Sequence, residues 1–367
     1  MHRRDAPSRL IMHTKHNYLI AMSGGVDSSV AAALLRERGE NCIGVMLKLH
    51  GKFTDELSSC GTDKDASDAR SVADKLGMDF HVYNREESFE REVIARFVNS
   101  YESGETPNPC IECNRYMKFG ALFDHAQALG CDRIVTGHYA RAEYDEKYRR
   151  RVLKKAIDET KDQSYVLWSL TSEQLEHLEF PLGAYTKSQI RDIASSLRFV
   201  TANKKESQDI CFIPDGNYVA FIERYTDKIY PSGNFIDTQG NVLGTHKGIV
   251  RYTVGQHKKL GIVTPEPMYV DRIIPETNEI LLVHDSDLYK TEVKIKEVKW
   301  SAFDTPPSEF RAHVKLRYRH KAAPCTVFTT DNGNATLLFD EPQRAPAKGQ
   351  SAVIYDGDVL LGGGVIL

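Results

Sequence analysis

The sequence of 367 residues lacks any apolar run close to the ~20 residues that a membrane-spanning helix needs. Its first segment, Met1–His16, is basic and polar, without the apolar stretch of a secretory signal. We interpret residues 1–16 as a basic N-terminal tail, with a short transit peptide or a true start at Met12 as alternatives. These absences predict a cytoplasmic protein that has no membrane partner.

The chain also lacks a disulfide framework and an excess of positive charge. Its seven cysteines are an odd number with irregular spacing, which favours a reducing compartment where thiols serve chemistry or metal binding. The 48 Lys and Arg residues are outnumbered by 51 Asp and Glu residues, for a formal net charge of −3. This balance excludes a basic surface over the whole chain, so any nucleic acid must bind a local basic patch.

Short apolar strands alternate with helical stretches over roughly the first 200 residues. The predicted strands are Tyr18–Met22, Cys42–Leu47, Phe80–Tyr83 and Arg133–Thr136. The predicted helices are Ser29–Arg38, Asp63–Leu76, Glu86–Tyr101 and Asn114–Leu129. Such alternation is typical of α/β domains, so we expect a doubly wound parallel sheet over residues 17–213.

The composition changes after about Pro214, where glycines, prolines and short β-rich runs replace the helices. The predicted strands of this part are Ile249–Val254, Met268–Ile273, Ile280–His284, Val293–Trp300, Arg311–Tyr318, Cys325–Thr329, Ala335–Phe339 and Ser351–Leu361. Short runs of this kind predict antiparallel β structure. We expect a small mainly-β linker domain over residues 214–275 and then a barrel or sandwich over residues 276–367, of which we favour the β-barrel.

A glycine-rich loop, Ser23-Gly-Gly-Val-Asp-Ser28, connects the first predicted strand to the first predicted helix. Its two glycines allow a tight turn that points backbone N–H groups at an anion, and the helix adds the positive end of its dipole. The serine hydroxyls supply further donors, and Asp27 is a candidate ligand for Mg²⁺ on the phosphates. An ordinary glycine-rich turn is the alternative. The loop lacks the lysine of a Walker A motif, which argues against γ-phosphate transfer.

The loop resembles the phosphate-binding loop of the N-type ATP pyrophosphatases, the PP-loop superfamily. This resemblance implies that ATP is split between its α- and β-phosphates and that an oxygen of the substrate is adenylated. The implied products are AMP and pyrophosphate, and the implied cofactor is ATP with Mg²⁺.

Three further segments distinguish between members of that superfamily. They are Thr106–Gly120 (TPNPCIECNRYMKFG), Thr136–Arg141 (TGHYAR) followed by Lys161–Tyr165 (KDQSY), and Glu206–Ile213 (ESQDICFI). In this order they resemble the tRNA-specific 2-thiouridylase family, from about Tyr18 to the C-terminus. The resemblance implies ATP-dependent replacement of the 2-oxygen of the wobble uridine of tRNA by sulfur.

That reaction requires an activated oxygen and a nucleophilic sulfur. The 2-oxygen of uracil is a poor leaving group, but as an adenylate it departs as AMP. Sulfur arrives as a persulfide on one cysteine, and a second cysteine attacks the persulfide or carries the sulfur onward, which leaves a disulfide. By resemblance, Cys211 is the persulfide carrier and Cys113 is the nucleophile. Arg115 and Lys118 stand near Cys113 in the sequence and would favour its thiolate.

The pair Cys110 and Cys113 leaves alternatives open. A C-x-x-C pair alone fits redox, metal-binding and structural roles equally well. Many members of the family carry Asp where this sequence has Cys110, so this chain offers three candidate thiolates. Cys110, Cys113 and Cys211 could hold a [4Fe–4S] cluster with one open iron, which is the alternative to the persulfide route. A closed zinc site is disfavoured because it needs a fourth ligand.

The resemblance also assigns the binding residues. For ATP they are Ala21, Met22, Ser23, Gly24, Gly25, Val26, Asp27, Ser28, Leu47 and Gly137. For the target base they are Asn108, Pro109 and Cys110, and for the rest of the tRNA they are Lys161, Asp162, Gln163, Arg317 and Tyr318. Ala21 stands where glycine is usual and Leu47 where methionine is frequent, and a backbone contact or an apolar wall tolerates both changes.

An alternating segment, Arg311–Arg319, predicts a strand with one basic face. The residues that would share this face are Arg311, His313, Lys315, Arg317 and Arg319. Such a row fits a phosphate track of RNA, with a merely solvated strand face as the alternative. A second basic run, Lys147–Lys155, predicts a hairpin near the same substrate.

The expected partners are tRNA and a sulfur donor, either a cysteine desulfurase or a sulfur-relay protein. A stacked base hides its 2-oxygen, so the uridine must flip into the catalytic cleft. No DNA partner is expected. A nucleotide-binding, RNA-associated protein without catalysis is the alternative from another class, but it leaves Cys113 and Cys211 unexplained. Amide-forming chemistry needs an amine-binding or glutaminase module, of which the sequence gives no sign.

Overall fold

The structure is a computed structural model that describes residues 15–49, 61–204, 210–330 and 332–367. The predicted tail, residues 1–16, lies outside the described residues except for Lys15 and His16. Within the described residues, no helix is long and apolar enough to cross a membrane.

The first part of the chain is built around a parallel sheet. The strands in this part of the chain are β1 (Asn17–Ala21), β2 (Asn41–Lys48), β3 (Asp79–Asn84), β4 (Arg133–Val135), β5 (Ala140–Asp145), β6 (Arg150–Lys155) and β7 (Leu178–Glu179). Five of them form the sheet in the order β3-β2-β1-β4-β7, and all four pairings are parallel. The order reverses between β1 and β4, which confirms the predicted doubly wound fold.

Helices cover both faces of this sheet. They are α1 (Val26–Glu37), α2 (Asp63–Leu76), α3 (Glu86–Phe89), α4 (Ala95–Glu102), α5 (Pro109–Glu112), α6 (Leu122–Ala128), α7 (Ser172–Glu176) and α8 (Lys187–Ser196). Side chains alternate along β1, so Ile20 packs into the cluster under α1 and α8, while Leu19 packs into the cluster on the opposite face. Both faces of the sheet are therefore buried, as parallel sheets require.

Two of the predicted helices consist of α-helical segments joined by a π-helical segment. A π-helical segment, Glu90–Ile94, joins α3 to α4, and a second one, Cys113–Ala121, joins α5 to α6. The second helix therefore begins at Pro109, five residues before the predicted start at Asn114, because Asn108 caps it by accepting a hydrogen bond from the Cys110 N–H at 3.2 Å. It carries the C-x-x-C pair on its first turn.

The central part of the chain contains one helix that the sequence pattern did not predict. It is α9 (Tyr218–Thr226), and the strands that follow it are β8 (Gly233–Ile236), β9 (Val242–His246), β10 (Tyr269–Ile274) and β11 (Glu279–Val283). These strands form a sheet in the order β10-β11-β8-β9. The prediction of a strand at Ile249–Val254 was wrong: Ile249–Arg251 is a 3₁₀ turn that follows Gly248 at φ 103°.

The C-terminal part is a closed antiparallel barrel. Its strands are β12 (Tyr289–Trp300), β13 (Glu309–Lys315), β14 (Ala323–Thr329), β15 (Ala335–Arg344), β16 (Ser351–Asp356) and β17 (Val359–Ile366). They follow the order β12-β15-β14-β13-β16-β17, and pairing of β12 with β17 closes the ring. The barrel favoured from the sequence is confirmed, although the predicted strand Ser351–Leu361 is two strands joined by a turn.

The barrel is attached to the first part of the chain. The hairpin of β5 and β6, predicted near Lys147–Lys155, pairs with the barrel through β6 and β17. Buried side chains add to this contact, because the Tyr165 hydroxyl donates to the Ser351 carbonyl at 2.8 Å and the Trp168 indole N–H donates to the Ser351 hydroxyl at 3.0 Å. The barrel therefore packs on the side of the parallel sheet that carries Leu19.

Candidate nucleotide and thiol site

A cleft opens at the carboxyl ends of β1, β2 and β4, where the strand order of the sheet reverses. Open α/β sheets bind their ligands at such a switch point. The residues that line the cleft are Ala21, Met22, Ser23, Asp27, Ser28, Val45, Met46, Leu47, Leu49, Gly61, Lys118, Leu122, Thr136, Gly137, His138 and Gln163. Seven of the residues predicted for ATP are among them, and the other three, Gly24, Gly25 and Val26, belong to the loop Ser23–Ser28, which forms one wall.

The loop Ser23–Ser28 is held in shape by its own hydroxyl groups. The Ser23 N–H donates to the Ser28 Oγ at 3.1 Å, and the Ser29 Oγ donates to the Gly25 carbonyl at 2.7 Å. Helix α1 begins at Val26, directly after these contacts, and points its N-terminus at the cleft. The loop is therefore preorganised to receive an anion such as a phosphate group.

Gly137 packs against this loop from the strand β4 side. A Cβ atom at Gly137 would lie 2.9 Å from the Ser28 backbone nitrogen and 3.0 Å from the Asp27 carbonyl carbon. Only glycine allows the two backbones to approach this closely. The position predicted near the nucleotide is thus a structural neighbour of the phosphate loop.

Asp27 is engaged by a cation from a distant part of the chain. The Lys187 Nζ lies 2.7 and 2.9 Å from the two carboxylate oxygens of Asp27, and the Tyr139 hydroxyl donates to the same carboxylate at 2.8 Å. A Mg²⁺ ion on Asp27 would have to share the carboxylate with Lys187. The role of Asp27 as a metal ligand stays a prediction, in which phosphate oxygens and waters would complete the coordination.

A second lysine, Lys204, ties the loop to helix α2. Its Nζ donates to the Gly24 carbonyl at 2.9 Å, to Asp65 at 2.5 Å and to Asp68 at 2.9 Å. Burial raises the pKa of Asp65, but hydrogen bonds from Lys204 and Thr62 outweigh burial, so the pKa of this carboxyl lies below its ordinary value. Sequence reasoning missed both Lys187 and Lys204, because no local pattern connects them to a loop more than 150 residues away.

We expect Lys204→Met to lower the free energy of unfolding by about 1–3 kcal/mol at neutral pH, because Asp65 is left buried without its cation. A carboxyl whose pKa is lowered by folding stabilises the protein above its unfolded pKa and loses that contribution as pH falls through the folded value. The difference between wild type and variant should therefore shrink below about pH 4. Urea unfolding at pH 7 and pH 3.5 measures it, and a difference that grows in acid would contradict the assignment.

The three candidate thiols lie on two elements. Cys110 is exposed on the first turn of α5, and Cys113 is buried at the start of the π-helical segment. Cys211 is partly buried and packs against the same hydrophobic cluster that contains Cys113, Met117, Phe212 and Leu49. Leu49 also lines the nucleotide cleft, so one cluster connects both predicted catalytic cysteines to the cleft.

The structure does not favour the iron–sulfur alternative. Among the described residues, no three His, Cys, Asp or Glu side chains are grouped so that they could hold a metal ion, and this includes Cys110, Cys113 and Cys211. Cys110 and Cys113 lie one turn apart on the same helix and differ in burial, with Cys110 exposed and Cys113 buried. The persulfide route stays a prediction.

Several residues predicted for tRNA meet beside Cys110. The Tyr318 hydroxyl donates to the Asp162 carbonyl at 3.2 Å, and Cys110 is close enough that a charge on its sulfur raises the pKa of Tyr318, after burial, which is the larger cause. Gln163 lines the cleft and accepts a hydrogen bond from the Tyr139 N–H at 2.9 Å. The loop after β13 thus reaches across to the catalytic part of the chain.

The predicted row of basic residues on one strand is wrong in its second half. Strand β13 ends at Lys315, so Arg317 and Arg319 lie in the loop that follows it. Arg311 is paired with Asp340 of β15, the second strand away from β13 in the barrel, with a contact of 2.5 Å, and the Arg317 Nη2 donates to the Ala345 carbonyl at 2.6 Å. An unbroken phosphate track along this strand therefore does not exist.

The basic hairpin is also partly neutralised. Lys147 pairs with Asp356 at 2.5 Å, and Lys154 pairs with Asp145 at 2.8 Å. The first contact joins the hairpin to strand β16 of the barrel, and the second lies between the two strands of the hairpin. They support a structural role for part of this basic run.

A buried histidine was not singled out from the sequence, although it stands in the TGHYAR segment. His138 accepts a hydrogen bond from the Lys118 Nζ at 3.4 Å through Nε2, and its Nδ1 lies 2.7 Å from the Thr136 hydroxyl. Complete burial, and then the charge of Lys118, hold the pKa of His138 well below its ordinary value. The imidazole is neutral at pH 7, and both Lys118 and His138 line the cleft.

Comparison with known proteins assigns all three parts of the chain. The family model described as the tRNA methyl transferase HUP domain matches residues 16–215. The tRNA methyl transferase PRC-barrel domain matches residues 219–284, and the aminomethyltransferase beta-barrel domain matches residues 290–366. The matches follow one another without overlap, in the same order as the three structural parts.

Relatives match the chain over nearly its whole length. A protein of Clostridioides difficile named tRNA-specific 2-thiouridylase is 44% identical over 357 residues, which are 97% of this chain and 99% of that protein. A protein of Carboxydothermus hydrogenoformans with the same name is 45% identical over 353 residues, or 95% of this chain and 96% of that protein.

Among solved structures, a U34-tRNA thiolase from Methanococcus maripaludis with its [4Fe-4S] cluster is similar with a TM-score of 0.36 and 17% identity, covering 61% of this chain and 70% of that one. A similarity this weak carries no argument about the reaction. The relatives of more than 40% identity do decide the family. The chain belongs to the tRNA-specific 2-thiouridylase family.

Proposed function

We propose that this protein catalyses the ATP-dependent 2-thiolation of the wobble uridine of tRNA, with Cys211 as the persulfide carrier and Cys113 as the nucleophile. One observation carries the proposal: the hydrophobic cluster that contains Cys113, and against which Cys211 packs, extends through Leu49 into the lining of the nucleotide cleft. The reaction needs a nucleotide, a base and a sulfur atom at one place, and the cleft and this cluster adjoin.

The first step is adenylation of the base. The uracil O2 attacks the α-phosphorus of ATP, the bond from that phosphorus to the bridging oxygen of the β-phosphate breaks, and the base loses its N3 proton. Backbone N–H groups of the loop Ser23–Ser28 and the N-terminus of α1 favour the departing pyrophosphate, because they present positive dipoles to it. Mg²⁺ enters with ATP and neutralises phosphate charge when it is bound.

The second step transfers sulfur. The terminal sulfur of a Cys211 persulfide becomes bonded to C2, and AMP leaves with the former 2-oxygen. In one order of events the persulfide attacks C2 and the Cys113 thiolate then cleaves the sulfur–sulfur bond; in the other, Cys113 releases the sulfur first. Either order reduces the transferred sulfur to sulfide while Cys113 and Cys211 are oxidised to a disulfide.

The target base would enter beside the first turn of α5. Asn108 and Cys110 lie at the N-terminus of this helix, and Tyr318, from the barrel, lies close to Cys110 and donates to the Asp162 carbonyl. A base flipped out of the anticodon loop is contacted on its edges and faces by polar and aromatic groups of this kind. The barrel loop therefore supplies one side of the tRNA site.

Turnover requires two further partners. A cysteine desulfurase or sulfur-relay protein supplies the persulfide sulfur to Cys211, and a thiol reductant reopens the disulfide after each cycle. The reductant requirement fits a cytoplasmic location, where thiols are kept reduced.

The proposal is tested with the full chain, Mg²⁺, an unmodified tRNA, and a cysteine desulfurase with cysteine. We expect 2-thiouridine in the digested tRNA, with one AMP and one pyrophosphate for each sulfur inserted. β,γ-Methylene-ATP should support the reaction and α,β-methylene-ATP should not, since only the second blocks the bond that breaks. A tRNA with cytidine at the wobble position is the matched control. Formation of ADP, or thiolation with α,β-methylene-ATP, would refute the proposal.

A further inference from the structure

Lys118 brings a positive charge into the cleft from the helix that carries Cys113. It belongs to the π-helical segment Cys113–Ala121 and follows Cys113 by five residues. A π-helix bonds each N–H to the carbonyl five residues earlier, so residues five apart lie one above the other. The π-helical winding thus brings Lys118 closer to the side of the helix that carries Cys113 than regular α-helical winding would.

The partner of Lys118 is an uncharged imidazole. A lysine ammonium can only donate, so the Nε2 of His138 accepts from the Lys118 Nζ at 3.4 Å. The proton of the ring is then on Nδ1, which donates to the Thr136 hydroxyl at 2.7 Å. The low pKa of His138 agrees with a neutral ring.

The charges of the other two lysines around the phosphate loop are already balanced by carboxylates. Lys187 is paired with Asp27, and Lys204 is paired with Asp65 and Asp68. Lys118 is the one Lys or Arg among the described residues that line the cleft, and its contact with His138 leaves its charge uncancelled. A lysine held in this way is suited to an anionic ligand.

The position of Lys118 favours a contact with the α-phosphate of ATP over the other two phosphates. The loop Ser23–Ser28 takes the pyrophosphate end of ATP, while the thiols and the base must lie toward Cys113. The α-phosphate joins the two, because its phosphorus is the atom that the base attacks. Lys118 shares the cleft with Ser23 and Ser28 and shares a helix with Cys113, so its ammonium lies at this junction.

We propose that Lys118 is a further catalytic residue of the adenylation step, whose ammonium binds a non-bridging oxygen of the α-phosphate, and that His138 is the positioning residue that aims it. The inference rests on the proposed function. As the uracil O2 bonds to phosphorus and the pyrophosphate oxygen departs, negative charge grows on the non-bridging oxygens, and a fixed cation lowers the free-energy barrier to that step. The same contact stabilises AMP as it leaves C2.

The test measures pyrophosphate release at saturating ATP, with tRNA present, for Lys118→Met, Lys118→Arg, His138→Leu and His138→Gln. We expect Lys118→Met to lower kcat by about 10²–10³-fold while the KM for ATP changes much less, and Lys118→Arg to recover part of the rate. His138→Leu should lower kcat about tenfold, and His138→Gln should restore most of it, because its amide oxygen replaces the lost acceptor. Loading of Cys211 with labelled sulfur should be unchanged in all four variants.

Two outcomes would overturn the inference. If Lys118→Met releases pyrophosphate within about threefold of wild type but fails to thiolate, Lys118 serves the Cys113 thiolate instead of the phosphate. If His138→Gln and His138→Leu are equally slow, the acceptor on His138 does not position Lys118. Thermal unfolding of each variant separates these effects from loss of the fold. Absence of tRNA-dependent pyrophosphate from the wild type would overturn the proposed function together with this inference.

Discussion

Cys211→Ser and Cys113→Ser are each expected to reduce 2-thiouridine formation by about 10³-fold or more, while both variants still release pyrophosphate with tRNA present. A serine hydroxyl cannot hold a persulfide and cannot attack one at neutral pH. The thiols lie outside the phosphate loop, in the hydrophobic cluster that adjoins the cleft, so adenylation does not depend on them. Thiolation and pyrophosphate release should therefore separate completely in these two variants.

The two variants should fail at different points. With ³⁵S-labelled cysteine and a desulfurase, Cys113→Ser should accumulate label on Cys211, and Cys211→Ser should carry none. If the persulfide attacks C2 directly, Cys113→Ser should also trap tRNA bound to Cys211 through a disulfide that thiols release. If Cys113 must act first, labelled protein should form without that adduct. The gel mobility of the tRNA, with and without reductant, distinguishes the two orders of events.

Cys131 provides the control for these substitutions. Its thiol is buried next to Asp132, whose carboxylate binds the first residue of β1, at the amino end of the sheet and therefore at the edge opposite the cleft. Burial raises the pKa of Cys131, so this thiol is unreactive at neutral pH. Cys131→Ala should keep its thiolation activity. More than about a tenth of wild-type activity in either catalytic variant would contradict the assigned roles.

The sequence predicted best those elements whose ends are determined locally. Helix α2 spans Asp63–Leu76, as predicted, because both of its ends are fixed by neighbouring residues. Thr62 caps it and forms a capping box with Asp65, and Gly77 ends it in the left-handed region at φ 63°. Such signals lie within a few residues of one another and are visible in a single sequence.

Elements that depend on tertiary contacts were predicted poorly. The β-branched residues Ile249 and Val250 indicated a strand, but both are buried beneath the central sheet, where Gly248 starts a 3₁₀ turn. Helix α9 was missed because Phe221 and Ile222 receive their packing partners from distant helices and strands, Phe97 among them. Intrinsic propensity is a weak guide wherever burial decides.

The same difference between local and tertiary signals applies to the residues of the site. The phosphate loop, Gly137 and the two cysteines were predicted from motifs, because each motif is short and contiguous. The lysines that hold the loop were not, since Lys187 reaches Asp27 across 160 residues and Lys204 reaches Asp65 across 139. The prediction of a basic strand face failed for the same reason, because Asp340, the partner of Arg311, comes from β15, two strands away in the barrel. Sequence periodicity predicts which face of a strand a side chain occupies, but it does not predict which charged residues lie beside it.

Gly24→Ala is expected to weaken ATP binding by about 10²-fold or more, or about 3 kcal/mol, and to abolish pyrophosphate release. Gly24 has φ +72°, and a Cβ atom there would lie 2.4 Å from the Asp65 carbonyl oxygen. That oxygen cannot move aside, because Asp65 is fixed by the capping box at the start of α2 and by Lys204. The loop itself must shift, and its N–H groups then no longer converge on the phosphates.

Gly39→Ala is the matched control for this substitution. Gly39 follows helix α1 at its other end and has a similar φ of +79°, but no atom lies within 4 Å of the position that its Cβ would occupy. Both variants carry the strain of a left-handed alanine, about 1 kcal/mol, and only Gly24→Ala adds the collision with α2. Calorimetric titration with ATP, together with thermal unfolding, compares the two directly. Equal ATP affinity in the two variants would show that the phosphate loop does not need its close approach to α2 in order to bind the nucleotide.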